Sequence, residues 1–259
     1  MINLKFFSLQ SGSNGNSHLI QSNNTSILID SGLSGVRTKN ILAEAGFSIE
    51  DVSGVLITHE HDDHVSGAGV LSRKFKTPVY INRATFRMAT MKMKQIDESL
   101  LHFIDGPFCI GDIVVTPFKI CHDAADPLGY VLESDGKKIS VITDTGVITD
   151  EVMALTKNSD FFYVEANFDP IMLKHGPYTP ALQERVRGDF GHLSNFECAE
   201  YLINAIGDRT KAVMIGHISL FNNDETLAKL TVENAIAEAG LDVPVFVSSR
   251  FRPSVVIEI

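Results

Sequence analysis

The chain is short of basic residues, of pairable cysteines and of long apolar runs. Its 259 residues carry 22 Lys and Arg against 32 Asp and Glu, a formal charge of −10. A basic footprint for nucleic acid spread over the whole chain is therefore absent. Cys109, Cys121 and Cys198 are odd in number and lack CxxC spacing, which argues against a disulfide framework and a cysteine-built zinc site. The stretch from Phe6 to Ile29 has no Lys, Arg, Asp or Glu, but its Ser, Asn and Gln exclude a membrane span. Met1 to Leu9 holds one Lys and no apolar core with a cleavage site, so no leader and a cytoplasmic location are expected. No Pro/Gly/Ser linker and no solenoid-period repeat divides the chain. Residues 1–259 are expected to form a single domain.

What is present is an ordinary globular composition, 44% hydrophobic and 21% charged. Strand-like runs come first, at Leu4 to Leu9, His18 to Gln21 and Ile27 to Ile29, with the turn residues Ser11 to Asn16 and Ser22 to Asn24 between them. A helical pattern follows through Val36, Ile41, Leu42 and Ala45 to a stop at Gly46. Val55-Leu56-Ile57 is wholly apolar, suited to burial on both faces. Further strands are expected at Val79 to Ile81, Ile113 to Phe118, Tyr130 to Glu133, Ile139 to Ile142, Phe161 to Val164, Ala212 to Ile215, Val245 to Val247 and Val255 to Ile257. Helices are expected at Phe196 to Ala205 and Asp224 to Ala239. Strands dominate the first part and α and β units alternate later, which suggests two sheets with helices packed outside them.

Thr58-His59-Glu60-His61-Asp62-Asp63-His64 follows the apolar strand directly. Three imidazoles and three carboxylates in seven residues resist burial in a core unless paired. At a strand end they suit Zn²⁺, Mn²⁺ or Fe; the competing reading is a solvated polar loop. Three more ligand-type side chains stand just past β runs: His122, Asp144 and His217. Any one alone reads more simply as a structural polar group. With the first cluster they make a specific order of ligands.

That order, with Asp30 in Ile29-Asp30-Ser31-Gly32, resembles the metallo-β-lactamase superfamily and its HxHxDH signature. The resemblance covers nearly the whole chain and implies an αββα sandwich with a two-metal site. By it, His59, His61 and His122 would hold one ion, Asp63, His64 and His217 the other, with Asp144 bridging and Asp30 an anchor beneath. The segments Gly12 to Ser17, His122 to Pro127, Gly191-His192-Leu193-Ser194-Asn195 and His217-Ile218-Ser219 look like the YycJ/WalJ-type subgroup. That subgroup is related to tRNase Z and phosphonate-pathway phosphodiesterases. It implies DNA exonuclease activity, an association with a cell-wall two-component system, and, as in many superfamily members, a homodimer.

The expected function is a metal-dependent phosphodiesterase, a DNA exonuclease, with two divalent ions (Zn or Mn, Fe as an option) activating a water. Asp63 would orient the water. His192 would protonate the leaving oxygen or contact the scissile phosphate; its alternative is a helix-entry residue packed locally. Glu165 either orients His192 or is a solvated strand-end carboxylate. A small-molecule phosphodiester or thiolester hydrolase, and a regulatory metal-binding protein linked to cell-wall signalling, are the competing functions. His18 reads as structural and His102 as surface, while His175 is placed on a substrate-facing loop without support from its spacing. Arg250 is open between phosphate contact and ordinary surface.

The acidic total also hides an asymmetry. From Val65 to Ile96 there is no Asp or Glu, and Arg73, Lys74, Lys76, Arg83, Arg87, Lys92 and Lys94 give the stretch +7. Local potential steers a ligand, so this stretch is either a basic lip for a phosphate backbone or a solvated helix face.

Overall fold

The computed structural model describes residues 4–259; residues 1–3, where the leader reading begins, lie outside the described residues. Two seven-stranded sheets form. The first contains β1 (Lys5–Gln10), β2 (Ser17–Gln21), β3 (Ser26–Ile29), β4 (Val52–Leu56), β5 (Val79–Ile81) and β6 (Leu101–Phe103). The second contains β7 (Phe108–Ile110), β8 (Ile113–Lys119), β9 (Leu128–Ser134), β10 (Lys137–Ile142), β11 (Phe161–Glu165), β12 (Ala212–Gly216) and β13 (Val245–Val247). The closing strand β14 (Ile257–Glu258) returns to the first sheet, antiparallel to β1.

Each sheet is ordered in sequence and changes character halfway. β14, β1, β2 and β3 pair antiparallel, and β3 to β6 pair parallel. Likewise β7 to β10 pair antiparallel and β10 to β13 parallel. The near-continuous apolar strands follow from burial on both faces. Phe6, Ile20, Ile27, Val141, Phe161 and Tyr163 pack between the sheets. Their neighbours Phe7, Leu19 and Leu28 pack outward under helices on one side, and Ile142, Phe162 and Val164 do so on the other.

The outer layer on the first sheet includes α1 (Gly35–Glu44), α3 (Ala68–Phe75) and α4 (Arg83–Met93), after the short α2 (Asp62–Val65). On the second sheet it includes α5 (Asp150–Thr156), α8 (Asn195–Ala205) and α9 (Glu225–Glu238). Two short helices, α6 (Pro170–His175) and α7 (Pro180–Arg187), lie between β11 and α8. The architecture is the expected αββα sandwich. Two expectations need correction. Helices alternate with strands already in the first half, because α3 and α4 carry their cations outward and bury only narrow stripes such as Leu71, Ala89 and Met93. The closing strand begins at Ile257, since Val255 and Val256 point to solvent unpaired.

Candidate metal centre

The ligand-type residues gather where parallel strands end. Asp30 follows β3, Thr58 and His59 follow β4, Asp144 follows β10, Glu165 ends β11 and His217 follows β12. His122 comes just after β8, while His61 caps α2 and His64 lies within it. Asp30, Asp144 and His217 adopt left-handed backbone, with φ of 59°, 57° and 50°. That conformation costs about 1–2 kcal/mol for a side-chain-bearing residue. It turns each chain sharply off its strand, and strain of this kind concentrates at functional sites.

The ligand atoms of His59, His61 and His122 lie within 4.8 Å of one another, as do those of Asp63, His64 and His217, and those of His59, His64 and Asp144. A fourth set, Asp144, Glu165, His192 and His217, meets the same limit. Hydrogen bonds separate its members. Glu165 is buried, with Oε1 accepting from Thr145 N at 2.6 Å and Leu193 N at 3.3 Å, and Oε2 2.9 Å from His192 Nδ1. Its lone pairs already serve the loop that carries His192. The strand-end carboxylate is therefore not solvated.

Behind most of the rings stands a polar partner. His64 Nδ1 is 2.7 Å from Asp30 Oδ2, and His59 Nδ1 is 2.9 Å from Thr58 Oγ1. His122 Nδ1 donates to the Gly191 carbonyl at 3.1 Å. His217 Nδ1 is 3.2 Å from Asn167 Nδ2 and 3.5 Å from Glu165 Oε2. Such partners fix ring orientation and raise ligand basicity. The inward nitrogens meet each other instead: His122 Nε2 is 3.3 Å from His61 Nδ1, and His217 Nε2 is 3.4 Å from Asp144 Oδ1. His59 Nε2 and His217 Nε2 are buried without a hydrogen-bond partner among the described residues. Buried polar atoms are rarely left so. Converging imidazole and carboxylate donors with orphaned nitrogens fit divalent metal binding. Asn16 Nδ2 lies 3.0 Å from His64 Nε2 and 3.2 Å from Asp63 Oδ2, so an amide sits against this half of the cluster.

Electrostatics follow from burial against charge. For Asp63, burial pushes the carboxyl up, but His64 and His217 outweigh it and hold it far below the usual range. For His217, burial works downward and is overcome by Asp144, Asp63 and Glu165, which push it up to about 10. His59 stays well below its ordinary value because it is desolvated and faces His64.

Asp63, Asp144, His61, His122, His192 and His217 line one cavity of about 310 Å³. The segment bearing His175 reaches that cavity through Tyr178, whereas His175 is exposed on α6 outside the lining. His18 is buried against Phe6 and Tyr163, and His102 is exposed and stacked on Tyr80. Sequence reasoning gave no role to Thr58, Asn16 or Asn167. Asn16 and Thr58 stood inside quoted motifs, Asn167 lies two residues past β11, and adjacency to a strand end was the available signal.

The Metallo-beta-lactamase superfamily domain matches residues 11–162. The chain is 39% identical over 248 residues to "Exodeoxyribonuclease WalJ" of Streptococcus pneumoniae, covering 94% of this chain and 92% of that protein. It is 37% identical over 242 residues to "Exodeoxyribonuclease YycJ" of Bacillus anthracis, covering 93% and 92%. Among solved structures, the metallo-beta-lactamase fold protein YhfI from Bacillus subtilis superposes with a TM-score of 0.72 at 16% identity, covering 97% of this chain and 99% of that one. The short form of human tRNase Z superposes with a TM-score of 0.65 at 16% identity, covering 97% and 99%.

Proposed function

Because the chain belongs to the metallo-β-lactamase superfamily, we propose that it is a metal-dependent hydrolase that cleaves DNA phosphodiesters as an exodeoxyribonuclease. The observation that carries the reading is His192, held from behind by the buried Glu165 and lining the same cavity as the His/Asp cluster. A protonatable group beside a metal cluster suits the expulsion of an alkoxide from phosphorus.

In this reading His59, His61 and His122 would hold one divalent ion and Asp63, His64 and His217 a second, with Asp144 contributing its carboxylate to the centre. Bound ions of this kind supply Lewis acidity to the phosphoryl oxygens and acidity to attacking water. Asp63 stays ionised and faces the cavity, so its carboxylate accepts a hydrogen bond and orients the attacking water. His192 has Nδ1 tied to Glu165, which leaves Nε2 to approach the leaving oxygen with a proton. Glu165 touches no substrate and is a positioning residue.

The basic stretch divides in two. Arg73 donates to the carbonyls of Met93 and Gln95, Arg83 stacks on Phe103, and Lys92 donates to the Glu60 carbonyl at 2.8 Å and pairs with Asp62. These cations build the first half, and Lys92 fastens the end of α4 beside the histidine motif. Lys74 lies over the Phe75 ring, and Lys76, Arg87 and Lys94 stay exposed as free positive charge that would attract a DNA backbone.

The test is product analysis. Metal-stripped protein is incubated with end-labelled single- and double-stranded DNA, precursor tRNA, cyclic nucleotides, bis-p-nitrophenyl phosphate and a thiolester, with and without Mn²⁺ or Zn²⁺. Stepwise DNA shortening that needs added metal is expected. Full activity in chelator, or hydrolysis of thiolesters with none of DNA, overturns the reading.

A further inference from the structure

Among the described residues Arg250 stands out as a buried arginine with no direct ion pair. It is 6% exposed, and Nη2 donates to the Ile218 carbonyl at 2.6 Å. Nη1 is buried with no hydrogen-bond partner among the described residues. Arg185, Arg187 and Arg209 pair with Asp123, Glu184 and Asp160. Arg250 pairs with no carboxylate among the described residues. The Glu225 carboxylate, which accepts from Ser249 Oγ at 2.7 Å, lies near enough to attract the guanidinium but forms no direct pair with it. A buried guanidinium with one orphaned nitrogen and no direct ion pair is costly, and the cavity it lines leaves room for an anion to meet it.

The position is held from several sides. Ser11 N donates to the Ser249 carbonyl at 3.2 Å, and Ser11 Oγ accepts from His217 N at 2.6 Å. The chain at Arg250 and the strand end at His217 are thus tied to the same small-residue loop. Gly12 in that loop has φ of +115°, and a Cβ there would come within 3.1 Å of Arg250 Nη2. The backbone at 12 favours glycine, and a side chain there would crowd the guanidinium. Arg250, Ser13 and Ser219 line the cavity that holds the His/Asp cluster.

We infer that Arg250, flanked by Ser13 and Ser219, forms a phosphate-binding subsite for a DNA phosphate neighbouring the scissile one. This rests on the proposed nuclease function. A guanidinium presents a planar fork of donors that matches phosphate oxygens, and the two hydroxyls complete the donor set. Among the described residues Arg250 pairs with neither Asp63 nor Asp144, whose carboxylates face the histidines of the cluster, so the subsite is assigned to a phosphate beside the scissile one. That phosphate is either an internal diester or the terminal monoester of the strand.

The experiment compares wild type, Arg250→Gln and Arg250→Lys on DNA and on bis-p-nitrophenyl phosphate, which carries no second phosphate. Melting temperature and metal content are read on the same samples. Arg250→Gln is expected to raise KM for DNA about 10- to 100-fold, with kcat changing less, and to lower the DNA to small-substrate ratio of kcat/KM by a similar factor. Lys is expected to restore part of the loss. If Gln prevents folding, Lys alone, which keeps the charge but not the fork, must still raise KM. Strands ending in phosphate or hydroxyl then separate the sources: dependence of the Arg250 effect on the terminal phosphate assigns the monoester, independence the diester. An unchanged KM, or equal losses on both substrates, overturns the inference. Failure of wild-type protein to cut DNA at all would instead overturn the nuclease reading.

Discussion

Asp30 and Asp144 occupy matching places in the two halves of the molecule. Each follows the strand at which its sheet changes from antiparallel to parallel pairing, β3 in one and β10 in the other. Each has left-handed backbone and is followed by a hydroxyl residue and a glycine, Ser31-Gly32 and Thr145-Gly146. Both glycines are pressed against backbone, since a Cβ at Gly32 would lie 1.8 Å from the Asp63 carbonyl and one at Gly146 2.2 Å from the Gly188 carbonyl. Yet the carboxylates face opposite sides of one ring. His64 Nδ1 is 2.7 Å from Asp30, while His64 Nε2 is 3.3 Å from Asp144. Asp30 also accepts from Thr58 N at 2.8 Å and from Thr58 Oγ1. The same backbone device delivers a support in one half and a pocket-facing carboxylate in the other. What differs is the α2 motif, which the first half inserts between them.

The largest effect expected is from Asp144→Asn. Asp144 lies among His64, His122 and His217, where burial disfavours its charge and the imidazoles more than restore it. The variant should lose bound metal and fall to near-background hydrolysis. Unchanged metal content by elemental analysis would break the distinction from Asp30. Next comes His192→Ala, expected to retain metal and slow turnover by about 10²- to 10⁴-fold. Loss of metal there would move His192 into the ligand set. Asp30→Asn is the milder counterpart, expected to weaken metal affinity by about 10- to 100-fold, as removal of a ligand's supporting carboxylate does. A competitive chelator titration reads it, and a loss equal to that of Asp144→Asn would erase the difference between the halves.

The first half's His-Asp motif was legible because seven consecutive residues carried it. The second half's contribution was legible only through apolar runs ending at His122, Asp144 and His217, which locate strand ends. Glu165 was less so, since a strand-end carboxylate looks alike whether solvated or, as here, bonded to Thr145, Leu193 and His192. The likeness of Asp30 and Asp144 was hidden for a physical reason. A two-residue hydroxyl-glycine signature is short, and equivalence shows only when strand order and φ are known. Helices α3 and α4 were obscured by their cations, several of which bind the protein's own carbonyls and rings.

The smallest effect concerns His18, which pairs with Ile29 immediately before Asp30. Burial, and then the neighbouring His64 and His217, lower its pKa to about 3. Its Nδ1 meets Ser8 Oγ at 2.9 Å, and Nε2 has no partner. A neutral folded histidine and an unfolded one that titrates near 6.5 bind the same number of protons above pH 6.5. Below that the unfolded chain takes up a proton that the folded chain refuses. His18 therefore costs stability progressively as pH falls from 6.5 toward 3, by at most about 1.4 kcal/mol per pH unit. His18→Gln keeps a polar group beside Ser8 and cannot titrate. In chelator, urea midpoints should fall less steeply with acidification for the variant than for wild type between pH 6 and 4. The gap should close above pH 7, apart from a constant offset for repacking against Phe6 and Tyr163. Parallel slopes would mean that the acid sensitivity lies with the cluster itself rather than with the strand beneath Asp30.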